Sequence, residues 1–346
     1  MSFTLQQSSF LAPLLGDQEI AGLFSVEADI AAMLEFESAL AQAQAKLGFI
    51  PAEAAAHITK GIKTFTPDLD QLASGIARDG MVVPALVLQL KAATNLHFHF
   101  GATSQDAIDT SLMLRAKQTV AVLKRRANSL LTKLAELSST QGQNNLMART
   151  RMQQALPFTV ADRIATWRSG LDDALAALVM CQFPLQFGGP IGVLREFGDK
   201  AAALKTELAR QLGLDVKPDN WHASRGPIVA LGNAMSHLTG TLGKIGTDYC
   251  LMAQNEFAEV KLSSGGTSSV MHHKQNPVRA ETLVTLARFN ATLISGLHHC
   301  MVHEQERSGA AWTLEWMLLP QMIVAAAAAT RLAGELLEST VAMGKP

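Results

Sequence analysis

Hydrophobic residues recur along most of this chain with the three-and-four spacing of an α-helix. The most regular window runs from residue 228 to residue 252. Its apolar positions are Ile228, Leu231, Met235, Leu238, Leu242, Ile245, Tyr249 and Met252. A seam kept for more than three heptads is typical of long helices packed nearly parallel. On its pattern alone, this seam fits a contact between subunits as well as a core within one chain.

The same spacing predicts helices along nearly the whole sequence, short ones first and long ones later. The predicted helices cover 17–47, 51–61, 68–77, a segment from Pro84, then 105–141, 155–181, 228–252, 278–305 and 315–342. No alternating polar and apolar run bounded by turn residues predicts a strand. We therefore predict an all-α fold, with a small N-terminal helical cap (residues 1–100) followed by an elongated bundle of long helices (residues 101–346).

Composition agrees with helix and excludes several classes of protein. Only 5% of the 346 residues are aromatic, with one tyrosine, which is few for a β-rich protein. The net charge of −1 provides no basic surface for nucleic acid or an anionic membrane. The three cysteines are far apart in sequence, as in a reducing compartment. No secretory signal or bilayer-length apolar run is evident, so we expect a cytoplasmic protein.

Chemistry is expected in three irregular segments between the long helices, at 97–106, 149–154 and 263–277. The third combines two glycines and five hydroxyl side chains with Lys274 and Asn276. Small residues leave backbone N–H groups open to an anion, and a lysine with an asparagine can stabilise charge on a carboxylate oxygen. The alternative is an ordinary serine- and glycine-rich linker with a solvated lysine.

These segments resemble the signature motifs of the fumarase/aspartase superfamily. The pattern Ser268-Ser269-x-Met271-x-x-Lys274-x-Asn276-Pro277 is similar to its loop GSSxMPxKxNP. The pattern His99-x-Gly101-x-Thr103-Ser104-x-Asp106-x-x-Asp109-Thr110 is similar to HxGxTSxDxxDT, and residues 149–157 occupy the place of its THxxxAxP-type segment. Segments 186–192, 221–225 and 303–316 further resemble the 3-carboxy-cis,cis-muconate cycloisomerase branch.

The resemblance implies a cofactor-free and metal-free lactonisation of a small anionic tricarboxylate, in the protocatechuate branch of aromatic catabolism. It also implies a homotetramer whose active sites are shared among three chains. The implied catalytic residues are Ser268 for proton transfer, with Lys274 and Asn276 to stabilise an enolate-like intermediate. The implied substrate-binding residues are His99, Thr103, Ser104, Arg151, Gln153, Ser269 and Met271. Most superfamily members carry a further C-terminal helical domain, which we expect to be largely absent here.

The chain departs from the superfamily pattern at three positions. Thr267 replaces a glycine, His272 replaces a proline, and Arg151 replaces the histidine of the lyases. Because an arginine stays protonated at any working pH, Arg151 cannot act as a general base. It can instead pair with an anionic substituent of the substrate. The alternative is a structural ion pair.

Other interpretations stay open at this stage. The substrate could be a related muconate such as the 3-sulfo analogue, the reaction could be a fumarate-releasing elimination, or the protein could be a non-catalytic helical protein. His299 and His303, four residues apart on a predicted helix, could bind a metal, although no third ligand shares their spacing. Finally, Thr103 and Arg151 flank a helix of about 50 Å, so a site that uses both must combine different subunits.

Overall fold

The computed structural model describes residues 10–267, 270–271 and 275–346, and its regular structure is dominated by helices. The helices are α1 (Ala12–Leu15), α2 (Gln18–Gly22), α3 (Val26–Leu47), α4 (Ala52–Thr64), α5 (Leu69–Asp79), α6 (Val83–Ala93), α7 (Ser104–Gln141), α8 (Val160–Val179), α9 (Ala201–Leu212), α10 (Gly226–Met252), α11 (Val278–His299) and α12 (Ala310–Glu338), with a 3₁₀ helix at Arg195–Lys200. The predicted all-α class is confirmed. The division between residues 100 and 101 stays a prediction.

Three short antiparallel ladders were not predicted. They pair β1 (Asn145–Thr150) with β2 (Gln153–Thr159), β3 (Val260–Leu262) with β6 (Thr340–Met343), and β4 (Gly266–Thr267) with β5 (Gln275–Asn276). The β1–β2 turn is formed by Arg151 and Met152, both with positive φ. Neither residue is a usual turn former, so the sequence carried no hairpin signal.

The centre of the molecule is a bundle of α7, α8, α10, α11 and α12, with α10 packed against α8, α11 and α12. Every apolar residue of the seam at 228–252 is at most 3% exposed within this single chain. The seam is therefore an intrachain core. The pattern of the seam left a contact between subunits and a core within one chain equally open, and the structure favours the core within one chain.

Helix boundaries differ from the predicted ones where capping overrides periodicity. The predicted helix 17–47 is divided at residues 23–25, because the Ser25 side chain accepts the Ala28 N–H and begins α3 anew. At the other end of the chain, α11 ends at His299 rather than at residue 305. His299 and His303 therefore do not share a helix. The prediction that they lie one turn apart on a helix, as a metal-binding pair would, is wrong.

The last bundle helix, α12, is long and apolar enough by composition to cross a membrane. Within this fold, 72% of its apolar stretch is buried. Such burial is typical of a helix at the centre of a protein core, whose apolar residues pack against other helices on every side.

Candidate active site

The first part of the site is the start of α7, which a buried carboxylate holds in place. Asp106 accepts the N–H of Thr103 at 3.0 Å and the N–H groups of Gly188 and Gly189 at 2.9 Å each. Its Oδ1 also lies 2.8 Å from Nε2 of His222. Both carboxylate oxygens are thus occupied. Asp106 fixes the helix start that presents Thr103 and Ser104, both of them half-buried.

Beneath this helix start lies a fully buried ion cluster. Arg225 donates to Asp109 at 2.7 and 3.1 Å and to Glu315 at 2.8 and 2.6 Å. Trp312 donates its indole N–H to Asp109 at 3.0 Å. Burial disfavours the charge of Arg225, but the two carboxylates outweigh burial and raise its pKa. The cluster ties the 303–316 segment to α7, and Arg307 adds a hydrogen bond to Gln105 at 3.0 Å.

His99 precedes α7 in a tight turn. It has a φ of +61°, and Gly101 follows with a φ of +67°. Gly101 is required there, since a Cβ would lie 2.3 Å from the ring of Phe197. The Nδ1 atom of His99 is 2.5 Å from Oε1 of Glu37 on α3. The predicted binding residues His99, Thr103 and Ser104 are therefore brought together at one end of the bundle.

Arg151 lies at the tip of the β1–β2 hairpin and is exposed, as are Met152 and Gln153. In the part of the chain that the structure describes, its guanidinium makes no ion pair. The neighbouring Arg149 behaves differently, because it forms a two-pronged pair with Glu259 at 2.8 and 2.9 Å. Among the described residues, Arg149 therefore has a carboxylate partner and Arg151 has none, and a role of Arg151 in ligand binding stays a prediction.

The third segment begins and ends in the β4–β5 ladder, in which Gly266 pairs with Asn276 and Thr267 with Gln275. Asn276 is half-buried, and Met271 is 44% exposed. Ser268, Ser269 and Lys274, together with the variant position His272, lie outside the described residues.

The loop base and the hairpin lie at the same end of the bundle. Strand β6 links them, because it pairs with β3 while Lys345, just beyond it, bridges to Asn145 at the start of β1. His99, Thr103 and Ser104 are at the opposite end of α7, whose 38 residues span about 57 Å. The motif residues that the structure describes thus form two groups, which one chain cannot bring to one small ligand.

Comparison with known proteins identifies the family of this chain. Residues 17–291 match a protein-family model described as lyase. The chain belongs to the lyase family. This family lies within the fumarase/aspartase superfamily, so the resemblance of the motifs is confirmed.

Relatives and solved structures of the family agree over most of the chain. The 3-carboxy-cis,cis-muconate cycloisomerase of Acinetobacter baylyi is 34% identical over 330 residues, which cover 91% of this chain and 73% of the relative. The crystal structure of β-carboxy-cis,cis-muconate cycloisomerase from Acinetobacter calcoaceticus has a TM-score of 0.88 at 31% identity, covering 96% of this chain and 78% of that one. A fumarate lyase from Mesorhizobium has a TM-score of 0.89 at 31% identity, covering 95% and 76%.

Sequence reasoning did not single out Glu37, which contacts the predicted binding residue His99. It lies 62 residues before its partner His99. It belongs to no motif, and its neighbours on α3 follow an ordinary helical pattern. Only the packing of α3 against the turn before α7 brings the two side chains together.

Proposed function

We propose that this lyase-family chain is a cycloisomerase that converts 3-carboxy-cis,cis-muconate into a carboxymuconolactone, in protocatechuate catabolism in the cytoplasm. The similarity to enzymes of that name over 91% of the chain carries the proposal. The exposed cation of Arg151 supports it, since a tricarboxylate offers an anionic substituent for such a group.

In the proposed reaction, a carboxylate oxygen of the substrate adds to its own double bond. One C–O bond forms, and the electron pair of the double bond moves onto the α-carbon and its carboxylate. A proton delivered to that carbon completes the lactone. Because the substrate supplies its own nucleophile, the protein has to hold a reactive conformation, stabilise the enolate oxygens and donate one proton.

We assign these tasks as the motifs imply. Ser268 transfers the proton, and Lys274 and Asn276 stabilise the enolate oxygens. His99, Thr103, Ser104, Arg151, Gln153, Ser269 and Met271 bind the substrate. Three cations (His99, Arg151 and Lys274) would then face the three carboxylates of the ligand, which provides charge balance without a cofactor.

We further propose a homotetramer whose sites combine both ends of the bundle from different chains. The separation of the two motif groups by about 57 Å supports shared sites. Met152 and Leu156 on the hairpin are 72% and 71% exposed. Such apolar side chains around a functional tip are typical of a surface that another chain covers.

Lactonisation of a different muconate, such as the 3-sulfo analogue, or elimination of fumarate is the second candidate. The elimination is kept as a candidate because a solved fumarate lyase from Mesorhizobium is similar to this chain. The test is a parallel assay of purified protein with 3-carboxy- and 3-sulfomuconate, in which loss of the diene absorbance reports lactonisation. Appearance of fumarate absorbance from succinyl conjugates reports the elimination. No turnover of 3-carboxymuconate would exclude the leading function, and full activity of Ser268→Ala would exclude the role of Ser268.

A further inference from the structure

Glu37 is a buried carboxylate with an uneven set of partners. Its side chain is 3% exposed, and its Oε1 lies 2.5 Å from His99 Nδ1. Its Oε2 is buried, and no hydrogen-bond partner for it exists among the described residues. A buried carboxylate with one oxygen unpartnered costs folding free energy. A contribution to stability therefore does not explain the glutamate at this position.

The contact determines which nitrogen of His99 is left for a ligand. Nδ1 faces Glu37, whereas Nε2 makes no hydrogen bond within the described part of the chain. The His99 side chain keeps 12% exposure. Since a hydrogen bond at one ring nitrogen fixes the ring orientation and the state of the other, Glu37 directs Nε2 as the ligand-facing atom.

The charges around His99 favour its protonated form. Glu37 faces it from α3, Asp106 from α7 and Lys91 from α6. Burial and Lys91 lower the pKa of His99, but the two carboxylates outweigh them and the pKa is raised. Asp106 is already occupied by backbone donors and His222. Glu37 is therefore the carboxylate whose contact with His99 is direct.

We propose that Glu37 is a positioning residue of the active site, which holds His99 in one orientation so that its Nε2–H binds a substrate carboxylate beside Thr103 and Ser104. The inference rests on the proposed function for the nature of that carboxylate. The Glu37–His99 contact itself does not depend on it.

The decisive variant is Glu37→Gln, which keeps a hydrogen-bond acceptor and removes the charge. The lost charge lowers the pKa of His99, so the alkaline limb of kcat/KM for 3-carboxymuconate moves to lower pH. We expect kcat/KM to fall about tenfold at pH 8, carried by KM, and to recover to within about twofold at pH 6, because the lower pH protonates His99 in the variant as well. Glu37→Asp keeps the charge and should keep the wild-type alkaline limb.

The matched control is Asp29→Asn, also on α3, which removes a carboxylate 2.6 Å from the buried Arg115. It should leave the pH profile unchanged. An equal shift of the alkaline limb in Asp29→Asn would overturn the proposal, because it would show that removal of any carboxylate from α3 has the same effect.

A measurement without substrate separates this inference from the proposed reaction. Imidazole ¹⁵N titration should show a lower pKa of His99 in Glu37→Gln than in wild type, with the His99 signal assigned by its absence from His99→Asn. Absence of muconate turnover together with this shift would count against the reaction alone. A His99 titration unchanged in Glu37→Gln would overturn the role of Glu37.

Discussion

Two arginines of this chain show how surroundings decide what one side chain does. Arg225 is fully buried and paired with two carboxylates, so its charge is used within the fold. Arg151 is exposed at a hairpin tip, and in the described part of the chain it has no carboxylate partner. The first arginine holds elements together, whereas the second can bind a ligand without first breaking an ion pair.

For Arg151, we expect Arg151→Ala to raise KM for 3-carboxymuconate about 10–100-fold, since a hydrogen bond to a charged group contributes about 1.5–3 kcal/mol. Arg151→Lys should recover part of the loss because it keeps the charge without the two-pronged geometry. Steady-state kinetics at constant ionic strength measure both. Arg78→Ala removes the same charge from an exposed arginine that pairs with Asp79 and belongs to none of the motif segments, and it serves as the control. An unchanged KM in Arg151→Ala would remove Arg151 from the site.

For the buried cluster, we expect Asp109→Asn to lower the free energy of unfolding by about 3–5 kcal/mol, because Arg225 then keeps a single charged partner in a dry interior. Denaturant unfolding followed by circular dichroism measures the loss. Asp79→Asn, which breaks the exposed contact with Arg78, should be indistinguishable from wild type. Similar stabilities for the two variants would contradict the structural role of the cluster.

At the scale of elements, glycines on α10 allow α11 to approach closely. A Cβ on Gly246 would lie 2.5 Å from the carbonyl oxygen of Ala280, and one on Gly243 would lie 2.4 Å from the Ala287 Cβ. The first contact is to backbone, which cannot move aside without shifting a helix. This pair of helices forms the centre of the bundle, so its spacing affects both ends, where the motif segments lie.

We therefore expect Gly246→Ala to destabilise the protein by about 1–3 kcal/mol through overpacking. The matched control is Gly334→Ala on α12, where the new Cβ meets only Leu130 Cδ2 at 3.9 Å. That variant should be neutral or more stable by about 0.5–1 kcal/mol, because alanine is the better helix former. Thermal unfolding of both proteins decides the matter, and equal melting temperatures would contradict the close approach of α10 and α11.

At the scale of the whole molecule, the length of α7 separates the residues at its start from the hairpin and the loop base. If chains combine opposite ends in one site, an intact site can form between two differently damaged chains. The separation therefore makes a prediction about mixtures of inactive variants that does not depend on the identity of the substrate.

We expect co-refolded His99→Asn and Arg151→Ala chains to recover a fraction of wild-type activity, because some sites then receive an intact group from each chain. The control mixture, His99→Asn with Thr103→Val, damages the same end twice and should stay inactive. Activity is assayed against each variant refolded alone. Recovery in neither mixture would show that the two ends do not share a site.

The sequence by itself determined the helical class, the positions of the long helices and the family motifs, because these follow from local periodicity and short-range spacing. It also indicated that Thr103 and Arg151 are far apart, since helix length follows from residue number. It did not reveal the β1–β2 hairpin, whose turn residues Arg151 and Met152 give no turn signal.

Tertiary structure alone decided which side chains meet. The partnership of Glu37 with His99, the assignment of the structural ion pair to Arg149 rather than Arg151, and the intrachain burial of the α10 seam all depend on how helices pack. Such contacts join residues that are distant in sequence, and they depend on the relative placement of whole elements. Local preferences along one chain carry no record of that placement.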